Sequence, residues 1–326
     1  MIKTNTGTGR KKIPMLSICL TALILLTSCS NQKKENDWTK KGLKGQVKTY
    51  NELTYEAEKR FGKIKKGKPT RGGSYFWFKT TFDDNGNKVK KSYYEIEDDH
   101  FKIEEDRTYE YNEEGDLVVE KKYDHSSQSL INEWNKNYKY DREGNVIKEL
   151  DYNSDGSLDT KTINKYDEKG NRIKSSEYNS DGSLDEKLIF KYDENGNCFE
   201  FSEYNSDGKL DTKTINKYDE KGNCIESSEY NSDGSLDEKL TFKYDESGNM
   251  IEQSRYNSDG SLDDKFIHKY NEKGDEIESK YSSGGSLGSK YSYEYEYDKK
   301  GNWVKQIAFK KETPIYISER KFEYYK

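Results

Sequence analysis

The feature that most constrains this chain is a 26-residue repeat in its central part. Each unit opens with a Tyr that is followed by Asp or Asn and, four residues on, by Gly; these tyrosines are Tyr140, Tyr166, Tyr192, Tyr218, Tyr244 and Tyr270. A second marker, Tyr-Asn-Ser-Asp-Gly, begins at Tyr152, Tyr178, Tyr204, Tyr230 and Tyr256. The markers alternate at spacings of 12 and 14 residues. A period of this size indicates a repeat architecture that grows by addition of similar units.

Both markers have the composition of β-turns. Asp167 and Asn179 stand at the first position of their turns, and Gly170 and Gly182 at the fourth. Asp and Asn accept hydrogen bonds from the local backbone, and Gly takes the left-handed conformation without a steric cost. We therefore predict type I turns with a Gly bulge, which join antiparallel strands.

Counting outward from each turn predicts which residues face each other. The predicted pairs are Tyr166–Arg172, Lys165–Ile173, Lys161–Glu177, Lys187–Glu203, Lys213–Glu229 and Lys239–Arg255, with Tyr178–Leu184 across the other turn. This register predicts one face with Leu158, Thr162, Tyr166 and Tyr178 and another with Ile163 and Ile173. Neither face is a large core, so we expect stability to come from many cross-strand pairs of about 0.2–1 kcal/mol each.

The composition favours an ordered β protein in spite of its polarity. Charged residues make up 36% and hydrophobic residues 30% of the chain, proportions that approach those of disordered segments. The 28 Tyr and 12 Phe residues, with only 3 Pro, instead suit continuous strands. The predicted fold class is all-β, an elongated antiparallel β-meander built from tandem 26-residue two-strand repeats.

The pattern divides the chain into five segments. We predict a leader at 1–28, a polar tether at 29–44, diverged repeats at 45–139, regular repeats at 140–287 and capping hairpins at 288–326. Within the regular block, the eleven residues from Lys161 recur unchanged from Lys213, 52 residues on. This near-identity indicates a recent duplication of a two-repeat unit.

The leader has the order of a secretory signal, with basic residues before an apolar run that is too short to stay as a transmembrane helix. It ends in Leu26-Thr27-Ser28-Cys29, which resembles the bacterial lipoprotein lipobox. The resemblance implies acyl chains on Cys29 that anchor the chain, and Ser30 after it favours the outer membrane. We therefore expect a lipid-anchored protein at the bacterial outer membrane, on the cell surface or the periplasmic face. An ordinary signal peptide is the alternative.

The iterated motif Tyr-Asp-Glu-x-Gly-Asn-x-Ile resembles the YD repeats of the Rhs family, and the similarity extends from Phe82 to Asn302. In that family the sheet is long and spirals, and some members close into a shell around a toxin. The resemblance implies a β-meander and a surface-protein context. The period here is longer than the usual YD unit, and we do not expect an encapsulating shell.

One segment matches the first part of a calcium-binding loop but not its end. Oxygen ligands would come from positions 1, 3, 5 and 9 of that loop, which are Asp151, Asn153, Asp155 and Asp159. The acidic residue required at position 12 is replaced by Thr162. A β-turn needs the same residues without an ion, so we favour a turn and predict no metal and no cofactor.

Two cysteines of the mature chain occupy the same repeat position. Cys198 and Cys224 are 26 residues apart, which places them two strands apart, about 10 Å. This separation is beyond disulfide reach, so we predict free thiols. The three His residues are scattered, which disfavours zinc.

The absence of catalytic motifs and the net charge limit the function classes that the sequence allows. The sequence has no nucleophile elbow, phosphate loop or His-Glu metal motif, and we predict no enzyme. Loss of the leader lowers the formal net charge from −6 to about −10, which argues against nucleic acid as a partner. The column Tyr178, Tyr204 and Tyr230 is either cross-strand packing or a platform for glycan rings. We predict a non-catalytic binding or scaffold module with a glycan or protein ligand; the alternative is an inert structural spacer or a periplasmic envelope accessory protein.

Overall fold

The computed structural model describes residues 36–70, 77–97, 100–113, 115–125, 133–153 and 155–326. In these residues there is one short helix, α1 (Asp37–Lys40), and 21 strands. The strands are β1 (Val47–Arg60), β2 (Lys63–Pro69), β3 (Trp77–Phe82), β4 (Lys88–Glu97), β5 (His100–Tyr111), β6 (Leu117–Asp124), β7 (Glu133–Tyr140), β8 (Val146–Tyr152), β9 (Leu158–Tyr166), β10 (Arg172–Asn179), β11 (Leu184–Tyr192), β12 (Cys198–Tyr204), β13 (Leu210–Tyr218), β14 (Cys224–Asn231), β15 (Leu236–Tyr244), β16 (Met250–Asn257), β17 (Leu262–Tyr270), β18 (Glu276–Ser283), β19 (Ser286–Tyr297), β20 (Trp303–Lys310) and β21 (Thr313–Tyr324).

The strands form a single antiparallel sheet that closes on itself. From β3 to β21 each strand pairs with the next one along the chain. β1 closes the ring, because it pairs with β21 on one side and with β3 on the other. β2 pairs only with the second half of β1 and lies outside the ring. The result is a closed β-barrel of 20 strands.

The all-β class and the consecutive antiparallel pairing confirm the prediction from the sequence, whereas the predicted elongated sheet is in fact closed. The closing contact between β1 and β21 joins Val47 to Tyr324, at the two ends of the described chain. A 26-residue repeat contains no information about a pairing between residues so far apart in the sequence. Twenty strands about 4.8 Å apart and tilted by about 35–45° enclose a ring on the order of 40 Å across, far wider than side chains can fill.

The buried hydrophobic cluster of the described residues lies at the seam where the ring closes. Val47, Tyr50, Phe78 and Phe82 form this cluster, with exposures of 8% or less. Tyr50 packs edge-on against Phe78 with 5.6 Å between ring centroids. Aromatic pairs of this kind add about 0.5–1.5 kcal/mol beyond their buried area, so this cluster stabilises the closure of the ring.

Residues 36–46, here called the N-terminal strap, lie across one end of this seam. The Trp38 ring packs against Phe82, and its Nε1 donates to the Val47 carbonyl at 2.8 Å. Asn302 accepts from the Lys44 N–H at 2.8 Å and donates to the Lys44 carbonyl at 2.7 Å. Asn36 donates from Nδ2 to the Asn85 carbonyl at 2.7 Å. The strap thus connects the turn after β3 with the turn after β19.

The turns have the predicted geometry. Gly170 has φ 84°, and its N–H donates to the Asp167 carbonyl at 3.1 Å, while the Asp167 N–H donates to the Asn171 carbonyl at 2.9 Å. The Asp167 carboxylate accepts from the N–H groups of Lys169 and Asn171. We call the turns of the first marker the YD turns and those of the second the NSDG turns. Strands alternate in direction, so the two kinds occupy opposite ends of the barrel, and the strap lies at the YD-turn end.

The predicted register is correct next to the turns and wrong by one residue beyond them. Tyr166 faces Arg172 and Tyr178 faces Leu184, as predicted. A bulge between Arg172 and Lys174 then shifts the pairing. The observed pairs are Lys165–Lys174, Lys161–Tyr178, Lys187–Tyr204, Lys213–Tyr230 and Lys239–Tyr256 in place of those predicted with Ile173, Glu177, Glu203, Glu229 and Arg255.

A slip of one residue transfers a side chain to the other face of the sheet. In β9, Lys161, Ile163 and Lys165 therefore share what we call the lysine face, together with Tyr178. Glu177 lies instead on the opposite face, paired with Thr162. The predicted grouping of Tyr178 with Thr162 is wrong for the same reason.

Candidate functional site

The tyrosines of the second marker form a column on the lysine face, with neighbours two strands, or about 10 Å, apart. Tyr178, Tyr204 and Tyr230, predicted as a platform, all belong to this column and are half-buried. Each faces a lysine of the adjacent strand: the pairs are Lys161–Tyr178, Lys187–Tyr204, Lys213–Tyr230 and Lys239–Tyr256. The structure thus places the three predicted tyrosines in one row of lysine–tyrosine pairs.

Lysine ammonium groups lie over several of these rings. The distance from Nζ to the ring centroid is 4.8 Å for Tyr178, 4.0 Å for Tyr204 and 5.5 Å for Tyr256. A cation at this distance is attracted to the negative face of the ring, by about 0.5–1 kcal/mol at exposed sites. One side of each of these three rings is therefore covered by a lysine. A shallow open hollow of about 220 Å³ lies beside Tyr230, lined also by Leu210, Lys213 and Ile215.

The tyrosines of the first marker have a different role, on the opposite face. From Tyr166 to Tyr270, each donates its hydroxyl proton to the backbone carbonyl 20 residues earlier, as from Tyr218 to Cys198 at 2.7 Å. Tyr140 donates in the same way to the Leu117 carbonyl, 23 residues earlier. Burial raises the pKa of Tyr244 to about 12. Among the described residues, the hydroxyls of Tyr178 and Tyr204 have no protein partner of this kind. The first-marker tyrosines therefore use their hydroxyls to connect neighbouring strands, whereas the hydroxyls of the second-marker tyrosines remain available.

A second recurring arrangement on the lysine face was missed from the sequence. The Glu200 carboxylate lies 2.9 Å from Lys191 Nζ and 3.1 Å from Lys213 Nζ, each on a flanking strand. The same three-residue unit, here called a lysine clasp, is repeated three times: Lys217–Glu226–Lys239, Lys243–Glu252–Lys265 and Lys269–Glu278–Lys290. Hydrogen bonds from Lys290 and other lysines lower the pKa of Glu278 to about 2. The glutamates recur at intervals of 26 residues, but their partners could be identified only with the correct register.

The opposite face gathers carboxylates instead. Glu177 faces Glu186 directly, and Glu229 faces Glu238. Burial, together with a hydrogen bond to Glu203, raises the pKa of Glu186 to about 7. Among the described residues, no group of three or more His, Cys, Asp or Glu side chains is placed to hold a metal ion.

The calcium-loop residues have other partners in the structure. Asp155 Oδ1 accepts from the Ser157 N–H at 2.9 Å and from the Ser157 hydroxyl at 2.5 Å. Asp151 lies in β8, 3.1 Å from Lys136 Nζ. Asn153 donates from Nδ2 to the Ser157 hydroxyl at 3.2 Å. A turn and a sheet make these contacts without an ion, and the preference for a turn over a calcium site at Asp151, Asn153, Asp155 and Asp159 stays a prediction.

Cys198 and Cys224 form no disulfide, as predicted, and both are buried. Burial raises the pKa of the Cys224 thiol to about 11. Because the thiolate is the reactive form of cysteine, this thiol is a poor nucleophile at neutral pH. Both cysteines serve as small packing groups on the opposite face.

The lipidation prediction depends on the start of the chain. Cys29 and the lipobox residues Leu26, Thr27 and Ser28 lie outside the described residues. Within the described part of the chain, no helix is long and apolar enough to cross a membrane.

Comparison with known proteins gives similarity of shape only. No protein-family model matches the sequence, and no curated protein matches it. A porin-like protein from Bacteroides uniformis is 10% identical with a TM-score of 0.35, over 85% of this chain and 98% of that one. A porin-like protein from Bacteroides vulgatus is 12% identical with a TM-score of 0.24, over 86% and 98%. The toxin complex TcdB2-TccC3 is 12% identical with a TM-score of 0.25, over 72% of this chain and 16% of that one. These values are too low to support an argument about function.

Proposed function

We propose that the chain is a lipid-anchored protein of the bacterial outer membrane whose barrel is a non-catalytic binding module built from YD-type two-strand repeats. The lipobox at Cys29 supports the anchor. The strap begins at Asn36, seven residues later, and a chain of that length reaches at most about 25 Å. In this proposal the YD-turn end therefore faces the membrane, and the NSDG turns face away from it.

The observation that supports a binding role is the row of lysine–tyrosine pairs on the lysine face. Lysines cover one side of the rings, as at Tyr178 and Tyr204, and the tyrosine hydroxyls remain available for a partner. Tyr combines a broad apolar ring with a polar group, which suits it to interfaces that are partly wet. Repetition at about 10 Å offers the same contact several times to an extended ligand such as a glycan chain.

The test replaces the tyrosines in two ways. In the first variant Tyr178, Tyr204 and Tyr230 become Ala, and in the matched control all three become Phe. If the rings bind the ligand, the Ala variant should bind bead-immobilised bacterial polysaccharides at least about tenfold more weakly. This loss is expected because each of the three rings contributes about 0.5–1.5 kcal/mol of binding free energy. The Phe control should keep most of the affinity because it keeps the rings. Unchanged binding by a folded Ala variant would refute the platform and favour the inert spacer.

A further inference from the structure

The lysine clasp is altered at two places. Clasps recur every 26 residues, and the central position holds Glu200, Glu226, Glu252 and Glu278. One and two repeats before Glu200, the same position holds Lys174 and Lys148. The flanking positions remain lysines, so two complete triads of lysine replace two clasps. We call these six residues the lysine patch: Lys139, Lys148, Lys161, Lys165, Lys174 and Lys187.

The pairing confirms that the six lysines share one face. Lys139 lies directly opposite Lys148, and Lys165 directly opposite Lys174. Lys161 is the diagonal neighbour of Lys148, and Lys187 is the diagonal neighbour of Lys174. Lys213 has the same position relative to Glu200 in its clasp. Among the described residues, no carboxylate forms an ion pair with any lysine of the patch. Each triad carries three positive charges, where a clasp carries a net charge of one.

This arrangement weakens the fold locally. Like charges directly opposite each other in a sheet are destabilising, by up to about 1 kcal/mol. The fold does not need lysine at these positions, because four clasps form with Glu there. A bound anion would supply the missing negative charge. The patch is therefore complementary to a partner with several separated negative charges.

Two features of the patch indicate which polyanion fits. The Lys161 and Lys187 side chains lie over the rings of Tyr178 and Tyr204, so aromatic surface borders the charges. The central lysines, Lys148 and Lys174, are two strands apart, about 10 Å. A duplex nucleic acid carries a charge about every 1.7 Å and would also be repelled by the acidic body of the protein.

We propose that the lysine patch binds an acidic polysaccharide, with the ammonium groups pairing with its carboxylates and Tyr178 and Tyr204 packing against its sugar rings. This inference rests on the proposed binding function and assigns it a ligand class. It also assigns the charge recognition to one part of the repeat surface: the lysines around Lys148 and Lys174 pair with the carboxylates of the acidic chain, whereas the lysines of the clasps around Glu200 and beyond are already paired with glutamate.

The chain itself supplies the design of the test. The variant Lys148→Glu/Lys174→Glu installs in both triads the residue that the clasps already contain, so it should fold at least as well as the natural protein. The control Lys209→Glu/Lys299→Glu changes the net charge equally at exposed turn residues outside the patch. The probes are polygalacturonate, its fully methyl-esterified neutral form and a DNA duplex. Binding of the mature chain is measured by biolayer interferometry at two salt concentrations.

We expect the natural protein and the control to bind polygalacturonate, more weakly at higher salt, and not to bind the neutral form. The Lys148→Glu/Lys174→Glu variant should lose at least about tenfold in affinity, and Glu200→Lys/Glu226→Lys should gain affinity. Equal binding by the patch variant and the control, no binding by the natural protein, or stronger binding to DNA would each overturn the inference. If the patch variant binds normally while the Tyr→Ala variant does not, the proposed function stands and this inference fails.

Discussion

Replacing Glu186 by Gln should stabilise the protein at pH 8 and have little effect at pH 4. Glu186 faces Glu177 directly across two strands and forms a hydrogen bond with Glu203, which requires a proton between the two carboxyls. Burial, together with these neighbours, raises the pKa of Glu186 from its ordinary value of 4.5 to about 7. The folded state therefore favours the protonated form.

Because the pKa of Glu186 is raised in the folded state, the stability that this group contributes decreases as the pH rises. A carboxyl whose pKa is higher in the folded state contributes stability that is fully present below pH 4.5 and is lost as the pH rises through about 7. If the site were fully shielded, the change from 4.5 to about 7 would correspond to about 3 kcal/mol. Glu186 is only half-buried, so solvent screening reduces the expected effect to about 1 kcal/mol.

The assay is thermal and urea unfolding of the natural chain and Glu186→Gln at pH 4, 6 and 8. About 1 kcal/mol should raise the Tm of the variant by about 1–3 °C at pH 8, and the two curves should converge at pH 4. Glu168→Gln, at an exposed turn position, serves as the control for removal of one negative charge. An equal gain for both variants, or a Glu186→Gln gain that does not depend on pH, would refute the assignment of the effect to this carboxyl cluster.

Two further predictions concern the strap and the anchor. Gly86→Ala should cost about 3 kcal/mol in the free energy of unfolding, because Gly86 has φ 86° and an added Cβ would lie 2.5 Å from Trp38. Gly144→Ala, with φ 85° and no atom within 4 Å of the added Cβ, should cost only about 1 kcal/mol, and equal losses in urea titrations would contradict the Trp38 contact. Cys29→Ser should move the protein from carbonate-washed membranes to the soluble fraction and remove the acyl mass from its N-terminal peptide; a variant that stays in the membrane would contradict the anchor.

The turns could be predicted from the sequence because their chemistry is local. The Asp or Asn at the first position and the Gly at the fourth, such as Asp167 and Gly170, lie within four residues of each other, so one short motif contains the information. The same holds for pairs next to the turn, such as Tyr166 with Arg172. Tertiary contacts have little opportunity to override a structure that closes within so few residues.

The register and the closure could not be predicted in the same way. The bulge at Ile173 adds one unpaired residue, and nothing in the alternation of side chains shows where such a residue lies. Beyond it every predicted pair was displaced, and the expected Lys161–Glu177 contact became Lys161–Tyr178. Closure of the ring depends on β1 and β21, whose residues are remote in sequence and outside the regular repeats.

The same limits explain which part of the candidate site was found. The tyrosine column was visible because its residues recur at a fixed spacing. The clasps also recur, but their meaning depends on which lysines flank Glu200, and the predicted register gave those lysines other partners. The substitution of Glu by Lys148 and Lys174 could have been read from the aligned repeats alone. Its significance appeared only when the correct pairing placed each of them opposite another lysine.

In a chain of near-identical repeats, the position that departs from the pattern is the most informative one. Residues that build the fold must satisfy the same contacts in every unit, and the turn aspartates and first-marker tyrosines do so. Lys148 and Lys174 break the local rule, since they oppose like charges where four other units have a compensated carboxylate. Natural proteins retain such inconsistencies mainly where function requires them. If the Lys→Glu variant proves more stable than the natural protein and also loses its ligand, the cost in stability and the binding site would be assigned to the same two residues.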